Sequence, residues 1–310
     1  MKNFLELLFC PYCQNDIKLS NNHLICEKCK RTFPIKNGVI TLLKDSNKII
    51  QSELSGIEKM DIISKTISKD KEFQKALSNL PNFPKCGKYR QNENYFWGVA
   101  IGKSGFIKAK KLIGENQTVL EVGADFCWAS RRLAKDNNVI ALDINKKHLA
   151  DANFLVKDTI FTRLQGDMNG LPIKSNTVDV IIANASVHHT ANLNITLKGF
   201  ARVLKPNGRL IMLREPVCGE NANDKNFGLQ EKKLGINEHA PKLKQWTLAL
   251  TKAGFSYNYE IAKLNFFIAG FKPKHFLRML KRYFLALPLV GLILAKNTIT
   301  DFNFFATKTH

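Results

Sequence analysis

The chain has 310 residues, of which 45% are hydrophobic and 24% charged, and this balance excludes an intrinsically disordered protein. A net charge of +21 favours anionic partners such as nucleic acid, acidic lipid or phosphorylated substrates, although it is also compatible with a generally basic surface. The first residues have no apolar stretch typical of a secretory signal, so we expect a cytoplasmic protein, with the inner face of the membrane as a further location.

Four cysteines near the start form two C-x-x-C pairs, Cys10 with Cys13 and Cys26 with Cys29. Two such pairs can place four thiolates around one tetrahedral Zn²⁺ ion, which leaves no coordination position open for catalysis. The stretch between the pairs is typical of two strands joined by a polar turn. We therefore predict that residues 1–45 form a zinc ribbon with a structural metal site, and the alternative is two redox or accidental C-x-x-C pairs.

The next part of the chain is predicted to be a linker followed by an α/β domain. Residues 46–94 are polar, and their apolar spacing permits helices that cover the domain behind them. From residue 118 onward, short apolar runs alternate with helical patterns, which predicts βαβ units and a mostly parallel sheet covered on both faces.

A glycine or a polar residue follows or ends each of four successive predicted strands. These residues are Gly123, Asp143, Asp167 and Asn184. Ligands of such sheets bind beyond the carboxyl ends of the strands, so we expect the four residues to lie in one site. Asp143 follows Gly123 by 20 residues, the spacing at which an acidic side chain accepts hydrogen bonds from a ribose.

The turn after the first of these strands lacks the glycines that a dinucleotide-binding loop requires. Asp125 and Cys127 stand where small residues are usual. A pyrophosphate needs close approach to backbone N–H groups at a helix start, and Asp125 would repel it. The loop therefore favours a cationic cofactor over NAD.

Four stretches together resemble the class I S-adenosylmethionine (SAM)-dependent methyltransferases of the type 11-like group. They are "VLEVGADFCWASRRLA", "VIALDI", "GDMNGLPIKSNTVDVIIANASVHH" and "LKGFARVLKPNGRLIMLREP". Residues 5–43 resemble the small zinc ribbons of bacteria and of tRNA-methyltransferase activators. The resemblance implies that residues 95–310 form a Rossmann-like domain with a mostly parallel, seven-stranded sheet.

The resemblance also implies a set of SAM-binding residues. Glu121 and Gly123 would lie by the methionine part of SAM, Asp143 would hold the ribose, Asp167 and Met168 would hold the adenine, and Asn184 would lie near the sulfonium. The full set of predicted cofactor-binding residues is Glu121, Gly123, Ala124, Asp125, Asp143, Ile144, Asp167, Met168 and Asn184.

The methyl acceptor is predicted less sharply than the cofactor. His188 and His189 follow the fourth strand and are the candidate catalytic bases, while Glu215, Glu238 and His239 are further pocket candidates. We expect a small-molecule, glycan or lipid-linked acceptor. One alternative is an rRNA guanine methyltransferase whose ribbon binds RNA, and a second is a non-catalytic zinc-ribbon adaptor with a degenerate methyltransferase domain.

An apolar and basic insertion is predicted at residues 271–298. Placed on a helix, its first half carries basic residues on one face and apolar residues on the other, a pattern typical of helices that lie on a membrane surface. The apolar run that follows is shorter than the roughly 20 residues needed to span a bilayer. Residues 274–295 are therefore expected to form a membrane-surface contact, a lid or a dimer contact.

Overall fold

The computed structural model describes residues 4–44, 48–60, 70–82, 93–156, 159–263, 280, 284 and 288–309. Most of the insertion predicted at 271–298 lies outside these residues, as do the basic positions of its amphipathic helix. Within the described residues, no helix is both long enough and apolar enough to cross a membrane.

The strands are numbered β1 to β11 in chain order. They are β1 (Ile17–Ser20), β2 (His23–Cys26), β3 (Thr32–Lys36), β4 (Val39–Thr41), β5 (Thr118–Val122), β6 (Asn138–Asp143), β7 (Thr162–Gln165), β8 (Val178–Asn184), β9 (Leu204–Cys218), β10 (Phe255–Ile261) and β11 (Ile299–Lys308).

The α-helices are numbered in the same way over the described residues. They are α1 (Lys48–Met60), α2 (Lys71–Asn79), α3 (Glu93–Ile101), α4 (Lys103–Ile113), α5 (Trp128–Leu133), α6 (Lys146–Asp151), α7 (Leu193–Val203), α8 (Leu229–Lys233), α9 (Leu243–Lys252) and α10 (Pro288–Lys296). Asn145 and Asn192 begin α6 and α7, because their side chains accept hydrogen bonds from backbone N–H groups of the first turn.

The seven strands β5 to β11 form a sheet in the order β7-β6-β5-β8-β9-β11-β10. The β7-β6-β5-β8-β9 ladders are parallel, and β11 runs antiparallel to both of its neighbours. The prediction of a mostly parallel, seven-stranded α/β sheet is confirmed. Alternate residues of the central strands face two different cores, which explains why the runs are apolar throughout rather than alternating: Leu120 belongs to one core and Val119 to the other.

The N-terminal ribbon is joined directly to this sheet. β1 to β4 form antiparallel pairs, as predicted for β1 and β2, and β4 then pairs in parallel with β7. Val39, Ile40 and Thr41 of β4 lie opposite residues 163–165, so the ribbon strands extend the sheet at its β7 edge. This pairing was not predicted from the sequence.

Helix α1 lies against the segment that follows α8. Gly56 of α1 makes the close approach possible, since a Cβ there would come within 2.7 Å of Ile236 Cγ1 and of the Leu234 carbonyl oxygen. The Ser52 hydroxyl donates a hydrogen bond of 3.2 Å to the Gly235 carbonyl. α1 is thereby held over the carboxyl ends of the strands, where the predicted site lies.

Candidate functional site

The turn after β5 packs tightly against the turn after β8. Gly123 has a φ of +69°, and a Cβ at this position would lie 2.3 Å from Ser186 Cβ. The Ser186 hydroxyl donates to the Val122 carbonyl at 2.9 Å. Glycine is therefore required here both by its backbone conformation and by the contact.

The residues that replace the expected glycines keep a left-handed backbone conformation. Asp125 has a φ of +48° and Cys127 a φ of +57°. The Asp125 N–H donates to the Asp143 carboxylate at 2.8 Å, and the Ala124 N–H donates to the Leu142 carbonyl at 3.0 Å. The loop after β5 and the end of β6 are thus linked, as the predicted site requires.

The Asp125 carboxylate is held by two protein side chains. The Tyr95 hydroxyl of α3 donates to one oxygen at 2.6 Å, and His148 Nδ1 of α6 lies 2.5 Å from the other. Burial, followed by the charge of Asp125, raises the pKa of Tyr95 well above its usual value. Asp125 therefore holds α3 against the loop, although Tyr95 lies 30 residues away along the chain.

Glu121 lies inside the protein at the end of β5. Its side chain is 4% exposed and accepts a hydrogen bond from the Ser130 hydroxyl of α5. Burial raises the pKa of Glu121 to about 8, although the Ser130 hydrogen bond acts in the opposite direction. The carboxyl group is therefore largely protonated at neutral pH.

An open pocket lies between α1 and the carboxyl ends of β6 to β8. Ile144, Asp167, Met168 and His189, all predicted site residues, line it together with Glu53 of α1. The complete lining is Ile49, Ile50, Glu53, Ile144, Asp167, Met168, Asn169, His189, Ala191, Asn192 and Ile195. Asn184 ends β8, two residues before the Ser186 turn.

Glu53 is a site residue that the sequence analysis missed. Its pKa is raised to about 8 by burial and by the charges of Asp143, Asp167 and Glu238. Its position in α1, far from the motifs, and the polar character of residues 46–94 concealed its role. Asp167 also lines the pocket, and the charges of Asp143 and Glu238 lie close enough to act on Glu53, an environment that favours a cationic ligand.

His188 lies between two carboxylates. Its Nδ1 is 2.8 Å from Glu215 Oε2, and its Nε2 is 3.3 Å from Glu238 Oε2. Glu215 is fully buried and also accepts the backbone N–H groups of Ser186, Val187 and His188. Burial alone would lower the pKa of His188, but its hydrogen bonds to Glu215 and Glu238 raise it to about 9.

The pKa of His189 is shifted in the opposite direction. Its Nδ1 lies 2.9 Å from the Asn237 carbonyl and 3.2 Å from Glu238 Oε2. Burial and the charge of neighbouring His188 lower the pKa of His189 to about 4. The two predicted catalytic histidines are therefore adjacent, yet one is charged and the other neutral at pH 7.

The four ribbon cysteines converge as predicted. The Sγ atoms of Cys10 and Cys29 are 3.7 Å apart, and those of Cys13 and Cys26 are 3.4 Å apart. All four sulfur atoms lie within 4.8 Å of one another. Zn–S bonds of about 2.3 Å in a tetrahedron require sulfur–sulfur distances of about 3.8 Å, so the donor set fits zinc.

The residues at the strand ends also fit SAM. Asp143 uses its carboxylate oxygens to accept the N–H groups of Asp125 and Asn145, each at 2.8 Å. A carboxylate has about four lone-pair positions, so capacity remains for the two hydroxyls of a ribose. The carboxylates of Asp143 and Asp167 suit a ligand that carries a sulfonium and an ammonium group.

Comparison with known proteins assigns two regions of the chain. Residues 120–212 match the methyltransferase domain family, and residues 2–38 match the Trm112p-like protein family. The first match covers β5 to the middle of β9, which includes the predicted cofactor residues. The second covers the ribbon as far as β3 and ends just before β4.

Two solved structures share the fold at low sequence identity. One belongs to the complex between the Haloferax volcanii Trm112 methyltransferase activator and its proposed methyltransferase. It is 20% identical, and the match covers 77% of this chain and 98% of that chain with a TM-score of 0.54. The other is phosphoethanolamine N-methyltransferase 2 of Haemonchus contortus in complex with SAM. It is 16% identical, and the match covers 90% of this chain and 61% of that chain with a TM-score of 0.55.

A curated relative matches only in part. The polyketide synthase-nonribosomal peptide synthetase ACE1 of Pyricularia oryzae is 29% identical over 138 residues, which is 39% of this chain and 3% of that protein. The chain spans no more than a quarter of the length of the first two curated relatives that it matches.

Proposed function

Because this chain carries a class I SAM-dependent methyltransferase domain behind a Trm112p-like ribbon, we propose that it transfers a methyl group from SAM to a small-molecule, glycan or lipid-linked acceptor. The observation that carries the proposal is the acidic pocket at the carboxyl ends of β6 to β8. Ile50 and Glu53 of α1 are both nearly buried above it. A pocket covered in this way suits a small acceptor group better than a structured RNA.

In this proposal the predicted residues contact different parts of SAM. Asp143 would hold the ribose, Ile144 and Met168 would flank the adenine, and Asp167 would accept a hydrogen bond from it. Glu121, Gly123, Ala124 and Asp125 would shape the methionine end, and Asn184 would lie near the sulfonium. When bound, SAM supplies a methyl carbon that is already activated by its sulfonium.

We place the acceptor beside His188 and His189. His189 lines the same pocket as Asp167 and Met168, so an acceptor next to it would lie close to the cofactor. The enzyme's main task in such a displacement is to align the attacking atom with the methyl group.

We also propose that Cys10, Cys13, Cys26 and Cys29 hold a structural Zn²⁺ ion. The sulfur distances support this assignment, and a metal bound here would stabilise the fold of the ribbon. Four thiolates complete the coordination sphere, so this ion would take no part in methyl transfer.

The proposal is tested with SAM that carries a labelled methyl group. The wild-type protein and the variant Asp143→Asn are incubated with cell extract, which is then separated into small metabolites, glycans, lipids and RNA. Asp136→Asn is the matched control, because Asp136 lies at the opposite, amino end of β6, where it pairs with Lys110.

Label in metabolites, glycans or lipids with the wild type and the control, but not with Asp143→Asn, is the expected result. Label in RNA that is removed by ribonuclease would replace this acceptor class with the RNA alternative. An absence of labelled product in every fraction would contradict the proposed transfer.

A further inference from the structure

A second group of metal-ligating side chains lies beside the cofactor pocket. Among the described residues, only the ribbon cysteines and the group His188, His189 and Glu238 bring three or more such ligand atoms within 4.8 Å of one another. His188 and His189 come from the turn after β8, and Glu238 comes from the segment between α8 and α9. The two elements meet at the carboxyl ends of the strands.

The distances within this group also fit ligand atoms that share a metal ion. Glu238 Oε2 is 3.3 Å from His188 Nε2 and 3.2 Å from His189 Nδ1. Nitrogen and oxygen ligands at about 2.0–2.2 Å from a tetrahedral ion are about 3.3–3.5 Å apart. Glu238 Oε2 is buried, and both imidazoles face it.

The surroundings of His188 match the outer shell of a metal site. Glu215 Oε2 lies 2.8 Å from His188 Nδ1 and is itself fixed by three backbone N–H groups. A carboxylate that accepts the N–H of one ring nitrogen orients the other nitrogen toward a metal, and this arrangement is usual for metal-binding histidines. Here the nitrogen left for the metal is Nε2, the one that faces Glu238.

Further oxygen atoms surround the same position. The Asn237 carbonyl lies 2.9 Å from His189 Nδ1, and Glu53 Oε1 lies 3.6 Å from the same nitrogen. Glu215 and Glu238 supply negative charge that offsets a divalent cation. Metal binding uses the lone pair of His188 Nε2 and therefore takes the place of a proton there.

We propose that His188, His189 and Glu238 bind a divalent first-row transition metal ion. Two imidazoles and one carboxylate with open positions suit Zn²⁺, Co²⁺, Fe²⁺ or Mn²⁺, in contrast to the four thiolates of the ribbon. Glu215 is the positioning residue.

The metal site suggests the chemical class of the methyl acceptor, an inference that rests on the proposed function. An acceptor hydroxyl bound at an open position of the metal loses its proton to water more readily, because the cation stabilises the alkoxide. The oxygen lone pair then forms the new C–O bond while the C–S bond breaks, and its electron pair returns to sulfur. The metal keeps its oxidation state, and the acceptor is an alcohol or phenol.

The experiment uses the full chain with its ribbon loaded with one equivalent of Zn²⁺ and no SAM present. Co²⁺ is added and followed by calorimetry and visible absorption, since cobalt on thiolates shows a sulfur-to-metal charge-transfer band that cobalt on histidine and carboxylate lacks. We expect one further equivalent to bind without that band. Glu238→Gln and His189→Asn should each weaken its binding at least tenfold, while the exposed Glu220→Gln should not change it.

Circular dichroism verifies that each variant is folded, and SAM calorimetry on the same samples keeps the two proposals separate. One bound equivalent of cobalt in a protein that fails to bind SAM would support the metal site and contradict the proposed function. Absence of this cobalt equivalent, or its full retention in both folded variants, would overturn the metal site whatever the SAM result.

Discussion

Two residues in the loop after β5 occupy a backbone conformation that glycine usually provides. Asp125 and Cys127 both have positive φ values, which cost energy for residues with a Cβ. The hydrogen bonds from Tyr95 and from the Asp125 N–H to Asp143 offset this cost. The loop therefore follows the same backbone path as a glycine-rich turn. Its Asp125 carboxylate contacts protein side chains, whereas a glycine-rich loop directs its backbone N–H groups at a phosphate.

Glu121 makes the stability of the SAM-free protein depend on pH. Its pKa is about 8 in the folded protein and 4.5 for an unperturbed glutamate, which represents the unfolded chain. Between these two pH values the folded state holds a proton that the unfolded chain has released. This contribution to stability is complete below about pH 4.5 and is lost as the pH rises toward 8, with a slope of about 1.4 kcal/mol per pH unit.

We therefore expect Glu121→Gln to flatten the fall in unfolding free energy between pH 5 and pH 8, as measured by urea denaturation at about one-unit intervals. Glutamine can still accept the Ser130 hydrogen bond but has no proton to lose. The exposed Glu115→Gln serves as the control and should keep the wild-type slope. An unchanged slope in Glu121→Gln would show that Glu121 is ionised in the folded protein.

At the scale of elements, α1 is the helix that completes the site. It contributes Glu53 to the pocket, and its Gly56 permits contact with the segment 234–236 that leads to Glu238. The position of α1 therefore determines both the cover over the cofactor pocket and the place of the Glu238 carboxylate.

The same substitution in two helices should have opposite effects. Gly56→Ala puts a Cβ within 2.7 Å of the Leu234 carbonyl, and we expect a loss of about 1–3 kcal/mol in unfolding free energy. Gly199→Ala in α7 meets no atom within 4 Å, and we expect a gain of about 0.5–1 kcal/mol from a less flexible unfolded chain. Urea denaturation measures both, and a stabilising Gly56→Ala would contradict the close contact of α1.

The sequence predicted the elements that carry strong patterns. The apolar runs that became β5 to β9 and the final strand β11 were recognised because both faces of the sheet are buried. The paired cysteines likewise predicted a convergent cluster. Glu53 and Tyr95 were missed because their roles arise only when distant helices fold over the strand ends, and no local periodicity records such a contact.

Across the whole molecule, the ribbon and the methyltransferase sheet share backbone hydrogen bonds. β4 pairs with β7, and Phe9 N–H and Lys174 N–H link the first residues of the ribbon to the segment before β8. β7 leads directly to Asp167 and Met168, so the ribbon supports the strand that presents the adenine side of the predicted cofactor site.

Removal of the Zn²⁺ ion proposed for the ribbon should therefore affect β7. We expect Cys13→Ser, or treatment with a chelator, to increase amide hydrogen exchange in residues 162–165. Residues 255–261 of β10, at the opposite edge of the sheet, are the internal control and should keep their protection. Equal protection of β7 with and without the metal would argue against structural support from the ribbon.

We expect the carboxyl ends of β5 to β8 to bind SAM, and calorimetric titration of the protein with SAM measures this binding. We predict that the wild-type protein and Asp136→Asn bind SAM with equal affinity. Asp143→Asn should weaken binding by at least a hundredfold, or about 3 kcal/mol, because it removes the charged acceptor for the ribose hydroxyls. Wild-type affinity in a folded Asp143→Asn variant, or no heat of binding from the wild-type protein, would contradict the account.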